Sequence, residues 1–118
     1  MEINRINFAK LQIFKYADTL FICLCELANP NLEESLNMPS HGLSKDELVV
    51  LLYELFSKHM LVAKTEERGL FTPTFKEIES ALKEENDISY RSKNTFYGIT
   101  TGAMETYREL KSVYSNKA

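Results

Sequence analysis

Apolar residues fall at Phe8, Leu11, Phe14, Ala17, Phe21, Leu24 and Ala28, in steps of three and four. That spacing predicts one amphipathic helix, ended by Asn29-Pro30-Asn31. Residues 29–42 collect Asn, Pro, Ser and Gly and read as a loop with a short turn around Leu32 to Leu36. A sharper signal follows in Leu43-Ser44-Lys45-Asp46-Glu47-Leu48: Ser44 can cap the free backbone donors, Glu47 can reach back to Ser44, and Leu43 can staple onto Leu48. The predicted helix runs from about Lys45 to His59. Its inner stripe is Leu48, Leu51, Leu52, Leu55, Phe56 and Met60, while Val49, Val50 and Tyr53 widen the apolar surface beyond one narrow seam.

Leu61-Val62-Ala63 and Gly69-Leu70-Phe71 flank the polar run Lys64 to Arg68, the pattern of a β-hairpin. Pro73 ends its second strand. Thr74 and Glu77 repeat the capping-box pattern ahead of Phe75, Ile78, Ala81 and Leu82, predicting a helix over about Phe75 to Glu85. The polar segment from Glu84 to Asn94 reads as a mobile tip. Thr95 to Ile99 is a strand candidate, and Thr100 can cap a last helix with Met104, Tyr107, Leu110 and Tyr114 inside. Residues 115–118 are expected to fray. The fold class predicted is α+β, a single mostly helical domain over residues 1–118 with a small antiparallel sheet.

Composition agrees with one self-sufficient core: 118 residues, 44% hydrophobic, with 7 Phe and 6 Tyr. The net charge of −3 is uneven, since residues 1–60 carry 5 Lys/Arg against 8 Asp/Glu and residues 61–118 carry 9 against 9. Clustered positive charge, the electrostatic footprint of nucleic-acid binding, is not evident. On a continuous helix Cys23 and Cys25 point about 200° apart, which predicts buried reduced thiols rather than a Cys-x-Cys metal or redox site. The longest apolar stretch, Thr19 to Cys25, is too short for a membrane span, and the first residues lack a signal-peptide pattern. The expected location is cytoplasmic, with no membrane partner.

Candidate chemistry changes this picture little. His41 and His59 lie 18 residues apart with no ligand-spaced partner, and His59 reads as a residue compensating the dipole of a helix end. Ser40-His41 has no orienting acid. The pairs Glu33-Glu34, Asp46-Glu47, Glu66-Glu67 and Glu84-Glu85 have polar neighbours, which supply no pKa shift for acid-base work. No catalytic residue, metal site or cofactor is expected. Glu33, Glu34, Asp46 and Glu47 are the preferred acidic epitope for a basic protein. Tyr90, Arg91, Lys93, Tyr97, Arg108 and Lys111 form an aromatic-basic set, in which Arg91, Lys93, Arg108 and Lys111 are the alternative nucleic-acid contacts.

Leu55 to Val62, a helix end leading straight into a hairpin, resembles the core of winged-helix domains. Tyr97-Gly98-Ile99-Thr100-Thr101-Gly102 is similar to that superfamily's Tyr-x-Leu-Thr-x-x-Gly signature. The stretch from Leu43 to Leu110, with its Phe-Thr-Pro-Thr helix start, also resembles small bacterial proteins found among immunity proteins of contact-dependent and other polymorphic toxin systems. That resemblance implies a non-catalytic inhibitor, monomeric or homodimeric, whose partner is a cognate basic toxin, in particular a nuclease. The alternative it implies is a winged-helix transcriptional regulator, and a structural adaptor is a third. Against DNA reading, the outward candidates of the central helix are Lys45, Asp46, Glu47, Glu54, Ser57, Lys58 and His59, with no arginine.

Overall fold

The computed structural model describes residues 2–84 and 94–115. Its elements in chain order are helix α1 (Glu2–Tyr16), strand β1 (Ile22–Cys23), a 3-10 turn (Leu24–Ala28), α2 (Leu32–Leu36), α3 (Lys45–Ser57), the hairpin β2 (Leu61–Thr65) and β3 (Gly69–Phe71), α4 (Phe75–Leu82), β4 (Phe96–Ile99), a 3-10 turn (Thr101–Ala103) and α5 (Met104–Ser115). The fold is α+β, with one antiparallel sheet in the order β1-β4-β2-β3. No described helix is long and apolar enough to cross a membrane.

Both capping boxes form. Ser44 Oγ accepts from the Glu47 N–H at 3.3 Å while the Glu47 carboxylate accepts from the Ser44 N–H at 3.0 Å, and Thr74 and Glu77 do the same ahead of α4. Each satisfies two of the donors that a helix start leaves unpaired. Leu48, Val49, Leu51, Leu52, Leu55 and Phe56 of α3 are buried, and Ile78, Ala81 and Leu82 of α4 join them. The short turn expected near Leu32 is α2, and the expected hairpin is β2–β3. Helix α4 stops at Leu82, three residues before the predicted end.

The predicted helix through Ala28 is corrected. Helix α1 closes at Tyr16, where Ala17 N–H and Asp18 N–H turn back to Phe14 and Lys15 carbonyls, and Tyr107 Oη donates to the Asp18 carboxylate at 2.9 Å. The chain beyond is extended because Ile22 and Cys23 pair with Tyr97 and Phe96 of β4. Long-range pairing outweighs the three-four spacing, and Thr19-Leu20-Phe21-Ile22 is itself rich in strand-favouring residues. Phe21 lies across the outer side of Gly98, where a Cβ would come 2.7 Å from its ring. The cysteine geometry changes accordingly. Cys23 ends a strand and Cys25 sits in the 3-10 turn, both thiols are free and buried, and they interact with each other. Burial, aided by the neighbouring Cys25, pushes the Cys23 thiol up to about 12, which keeps it protonated and inert.

The sheet's inner face presents Leu61, Ala63 and Tyr97 to α1 and α3. Tyr97 is fully enclosed, and its hydroxyl donates to the Ile13 carbonyl at 2.7 Å. That carbonyl is in the last turn of α1, where the closing bond goes to Phe14 instead, so Tyr97 ties β4 to an acceptor that the helix leaves free. Helix α5 packs back on α1 through the Phe14–Tyr107 rings at 5.7 Å, with Tyr107 and Leu110 inside. Met104, predicted to face inward, is exposed, and Ala103 takes the buried position.

The junction after α3 also differs from expectation. Helix α3 ends at Ser57, and His59 adopts a left-handed conformation with φ 59°. His59 N–H donates to the Phe56 carbonyl and Met60 N–H to the Leu55 carbonyl, the paired bonds of a Schellman turn. The backbone of His59, more than its ring charge, is what this helix end uses. Thr100, predicted to cap the last helix, makes no cap bond and instead donates its hydroxyl to the His59 carbonyl. Since glycine takes left-handed φ without steric cost, His59→Gly should stabilise the domain by about 0.5–1 kcal/mol, seen as a higher urea midpoint with unchanged slope. An unchanged or lower midpoint would show that the imidazole makes a contact worth more than the strain.

Candidate protein-binding surface

Five of the eight acidic residues of the first half line two cavities, Glu33 and Glu34 one and Asp46, Glu47 and Glu54 the other. Asn37, at the end of α2, takes a left-handed φ of 55°, and the loop after it returns to the start of α3. Between them lies a cavity of about 490 Å³, with Leu27, Leu32, Leu43 and Leu48 among its lining and Glu33, Glu34 and Lys45 at its edge. Glu33 accepts weakly from the Ser40 N–H at 3.4 Å. Both Glu33 and Glu34 are exposed, so α2 offers two carboxylates at the rim of this cavity.

His41 builds the wall of this cavity. Its Nε2 lies 2.6 Å from the Leu27 carbonyl and its Nδ1 accepts from the Leu43 N–H at 3.0 Å, so the ring is a neutral bridge with its proton on Nε2. Ser40 Oγ accepts from the Gly42 N–H, and both ring nitrogens of His41 are engaged with backbone, so the pair is arranged as a loop brace. Tyr16 Oη donates to the Pro39 carbonyl and pins the same loop to α1.

Burial lowers the His41 pKa below its ordinary 6.5, against the opposing pull of the Leu27 carbonyl. The unfolded chain therefore binds this proton at a higher pH than the native one. The stability His41 contributes is complete above about pH 6.5 and is lost as pH falls through the native value. Urea midpoints should fall between pH 7.5 and pH 5, before the carboxylates titrate, and His41→Gln should flatten that fall. A His41→Gln protein with the same slope would contradict this role.

The second cavity is a groove of about 460 Å³ between α1 and α3, lined by Ile6, Asp46, Glu47, Val50, Leu51 and Glu54. Leu51 is its buried floor and Val50, 60% exposed, forms a wall. Arg5 crosses to the Glu47 carboxylate and, with the Ser44 N–H, holds its pKa down to about 2. Lys58 pairs with Glu54 at 2.7 Å and lowers its pKa. Asp46 is exposed at the mouth. Apolar surface continues on both sides: Tyr53 meets Phe75 edge-on at 5.6 Å, both remain more than a third exposed, and Ile3 is 75% exposed one turn before Ile6.

Of the acidic epitope read from sequence, Asp46 and Glu47 thus edge the groove, while Glu33 and Glu34 edge the first cavity. Glu47 is the least available of the four, because capping and Arg5 occupy its oxygens. Val50 and Glu54 were visible as outward or surplus residues of the helix pattern. Ile6 was not, because only the approach of α1 to α3 makes it part of a surface.

Of the aromatic-basic set, Tyr97, Arg108 and Lys111 are described, and Tyr97 lies apart from the other two. Tyr90, Arg91 and Lys93 lie outside the described residues. Tyr97 is in the core, where it cannot stack on a base. Arg108 and Lys111 are exposed one turn apart on α5, and the Lys111 ammonium sits 4.2 Å from the Tyr107 ring centre. Among the described residues no group of three or more His, Cys, Asp or Glu side chains is placed to hold a metal ion. No family model, curated protein or solved structure matches the chain, so its functional reading rests on this surface.

Proposed function

We propose that this is a non-catalytic, winged-helix-like binding protein that neutralises a basic bacterial toxin, in particular a nuclease, by covering its active surface. The observation that carries the reading is the outward side of α3. Val50, Tyr53 and the adjoining Phe75 and Ile3 leave an apolar face in water, beside carboxylates drawn from the acidic half of the chain. Large exposed apolar patches with a polar rim mark interaction sites, and aromatic residues are enriched in them. Negative charge around such a patch speeds encounter with a cationic partner and competes for a phosphate-binding surface.

The winged-helix-like reading is supported by the passage of α3 through the His59 turn directly into the β2–β3 hairpin, with β4 beside β2. Thr100 of the resembling motif ties that junction to the end of β4 through the His59 carbonyl, and Tyr97 ties β4 to α1 through the Ile13 carbonyl. Co-expression with the toxin encoded by an adjacent gene should restore growth, and calorimetry of the two purified proteins should show tight binding. Absence of both would remove the proposal.

The regulator alternative draws on Arg108 and Lys111, exposed together on α5. It requires a salt-sensitive mobility shift on the DNA upstream of the protein's own gene, weakened by Arg108→Ala with Lys111→Ala. Indifference to DNA at low salt would exclude it.

A further inference from the structure

We infer that the His41 side chain is an acid-released latch on the cavity beside α2, closed when the imidazole is neutral and open when it is protonated. Residues 38–44, which join α2 to α3, form no helix or strand, so side-chain bonds hold them in place. The segment turns at two left-handed residues, Asn37 with φ 55° and Gly42 with φ 77°. Between these turns the imidazole spans from one wall of the cavity to the other. Its Nε2 donates to the Leu27 carbonyl in the 3-10 turn at 2.6 Å, and its Nδ1 accepts from the Leu43 N–H at 3.0 Å, one residue before the Ser44 cap of α3.

A proton taken from solvent binds the ring at Nδ1, the nitrogen that carries none. There it turns the acceptor of the Leu43 N–H into a second donor, so that hydrogen bond is lost and two donors face each other. The charged ring also sits where only 5% of the residue is exposed, and both nitrogens meet backbone rather than a carboxylate. Nothing bonded to the ring offsets the new charge, which favours the conformation that brings the imidazolium to water. The surrounding titratable groups are engaged elsewhere or face solvent. Tyr16 of α1 bonds the Pro39 carbonyl and the His41 N–H, Glu26 of the 3-10 turn accepts from Asn29 and Ser35, and Glu33 of α2 accepts from the Ser40 N–H. Glu34 and Lys45 are exposed at the cavity edge. With Pro39 and the His41 backbone still tied to Tyr16, the movement is confined to the imidazole, Gly42 and Leu43. Gly42 has open space where a side chain would stand and serves as the hinge. Opening bares Leu43 and Leu48 of the lining, so the surface released in acid is apolar.

The test is amide hydrogen exchange of the full chain, read by nuclear magnetic resonance at about pH 7.5 and about pH 5 and corrected for the intrinsic rate at each. An open state that binds one more proton gains up to about tenfold in population for each pH unit below the ring's ordinary pKa of 6.5, until the native value is passed. The Leu43 amide should exchange faster at the lower pH by that factor, while the amides of Leu52, Leu55 and Phe56 in α3 keep their rates. His41→Gln, which does not titrate, should abolish the difference, and Glu33→Gln should retain it. The imidazole nitrogen shifts of the parent protein need no variant: Nδ1 should gain its proton over the same pH range in which Leu43 loses protection. Titration of Nδ1 with Leu43 still protected would overturn the latch, as would equal acceleration throughout α3. A response kept in His41→Gln and lost in Glu33→Gln would move the switch to α2 and overturn it as well.

Discussion

Tyr97→Ala should destabilise the domain by about 3–5 kcal/mol, and Tyr97→Phe by about 1–3 kcal/mol, in urea unfolding monitored by circular dichroism. The larger figure combines lost burial of a fully enclosed ring with the cavity left among Ile13, Phe14 and the sheet. The smaller isolates one hydrogen bond. Phenylalanine keeps the ring but leaves the Ile13 carbonyl without the hydroxyl 2.7 Å away, and the last turn of α1 has no replacement donor for it among the described residues. An unchanged midpoint for Tyr97→Phe would mean that this carbonyl reaches water or another donor, and that Tyr97 does not tie β4 to α1.

Phe56→Ala should also cost about 3–5 kcal/mol, whereas Val50→Gln on the same helix should stay within about 0.5 kcal/mol of the parent. Phe56 has no exposed surface and Val50 is 60% exposed. Glutamine preserves helix propensity at position 50 and adds no charge beside Asp46 and Glu54. The contrast separates the two sides of α3. The inner side holds the fold, and the outer side carries apolar area that stability does not require, which is the area assigned to a partner. A loss of 2 kcal/mol or more at Val50, about what burying a valine side chain is worth, would make that side chain part of the core.

Local chemistry was the most legible part of the chain. Each capping box lies within four residues, so Ser44 with Glu47 and Thr74 with Glu77 set the starts of α3 and α4 without reference to anything distant. The β2–β3 hairpin was legible for the same reason. Strand β1 was not, because its partner lies some 75 residues along the chain and its apolar spacing happens to continue that of α1. Register hid the role of Tyr97: beside Arg91 and Lys93 in sequence it resembled a stacking platform, but pairing opposite Ala63 turns it into the core. The surplus of apolar residues on α3 was visible, and burial divides it, with Val49 inside and Val50 and Tyr53 outside. Thr100 followed the capping pattern of Thr74 in sequence, yet its hydroxyl is taken by the His59 carbonyl, an acceptor brought close by the pairing of β4 with β2.

The groove differs in kind from these elements. Its six residues come from two helices some forty positions apart, and four of them, Asp46, Glu47, Val50 and Glu54, stood out as charged or surplus positions in the linear pattern. The acidic epitope was therefore legible as a composition, but not as a shape.

Hydrogen–deuterium exchange on a complex with the proposed toxin partner tests the central claim most directly. The account expects toxin-dependent protection concentrated in residues 3–10 and 46–54, with the hairpin and α5 unchanged. Protection confined to α5 and the hairpin, with α3 exchanging as in the free protein, would contradict it.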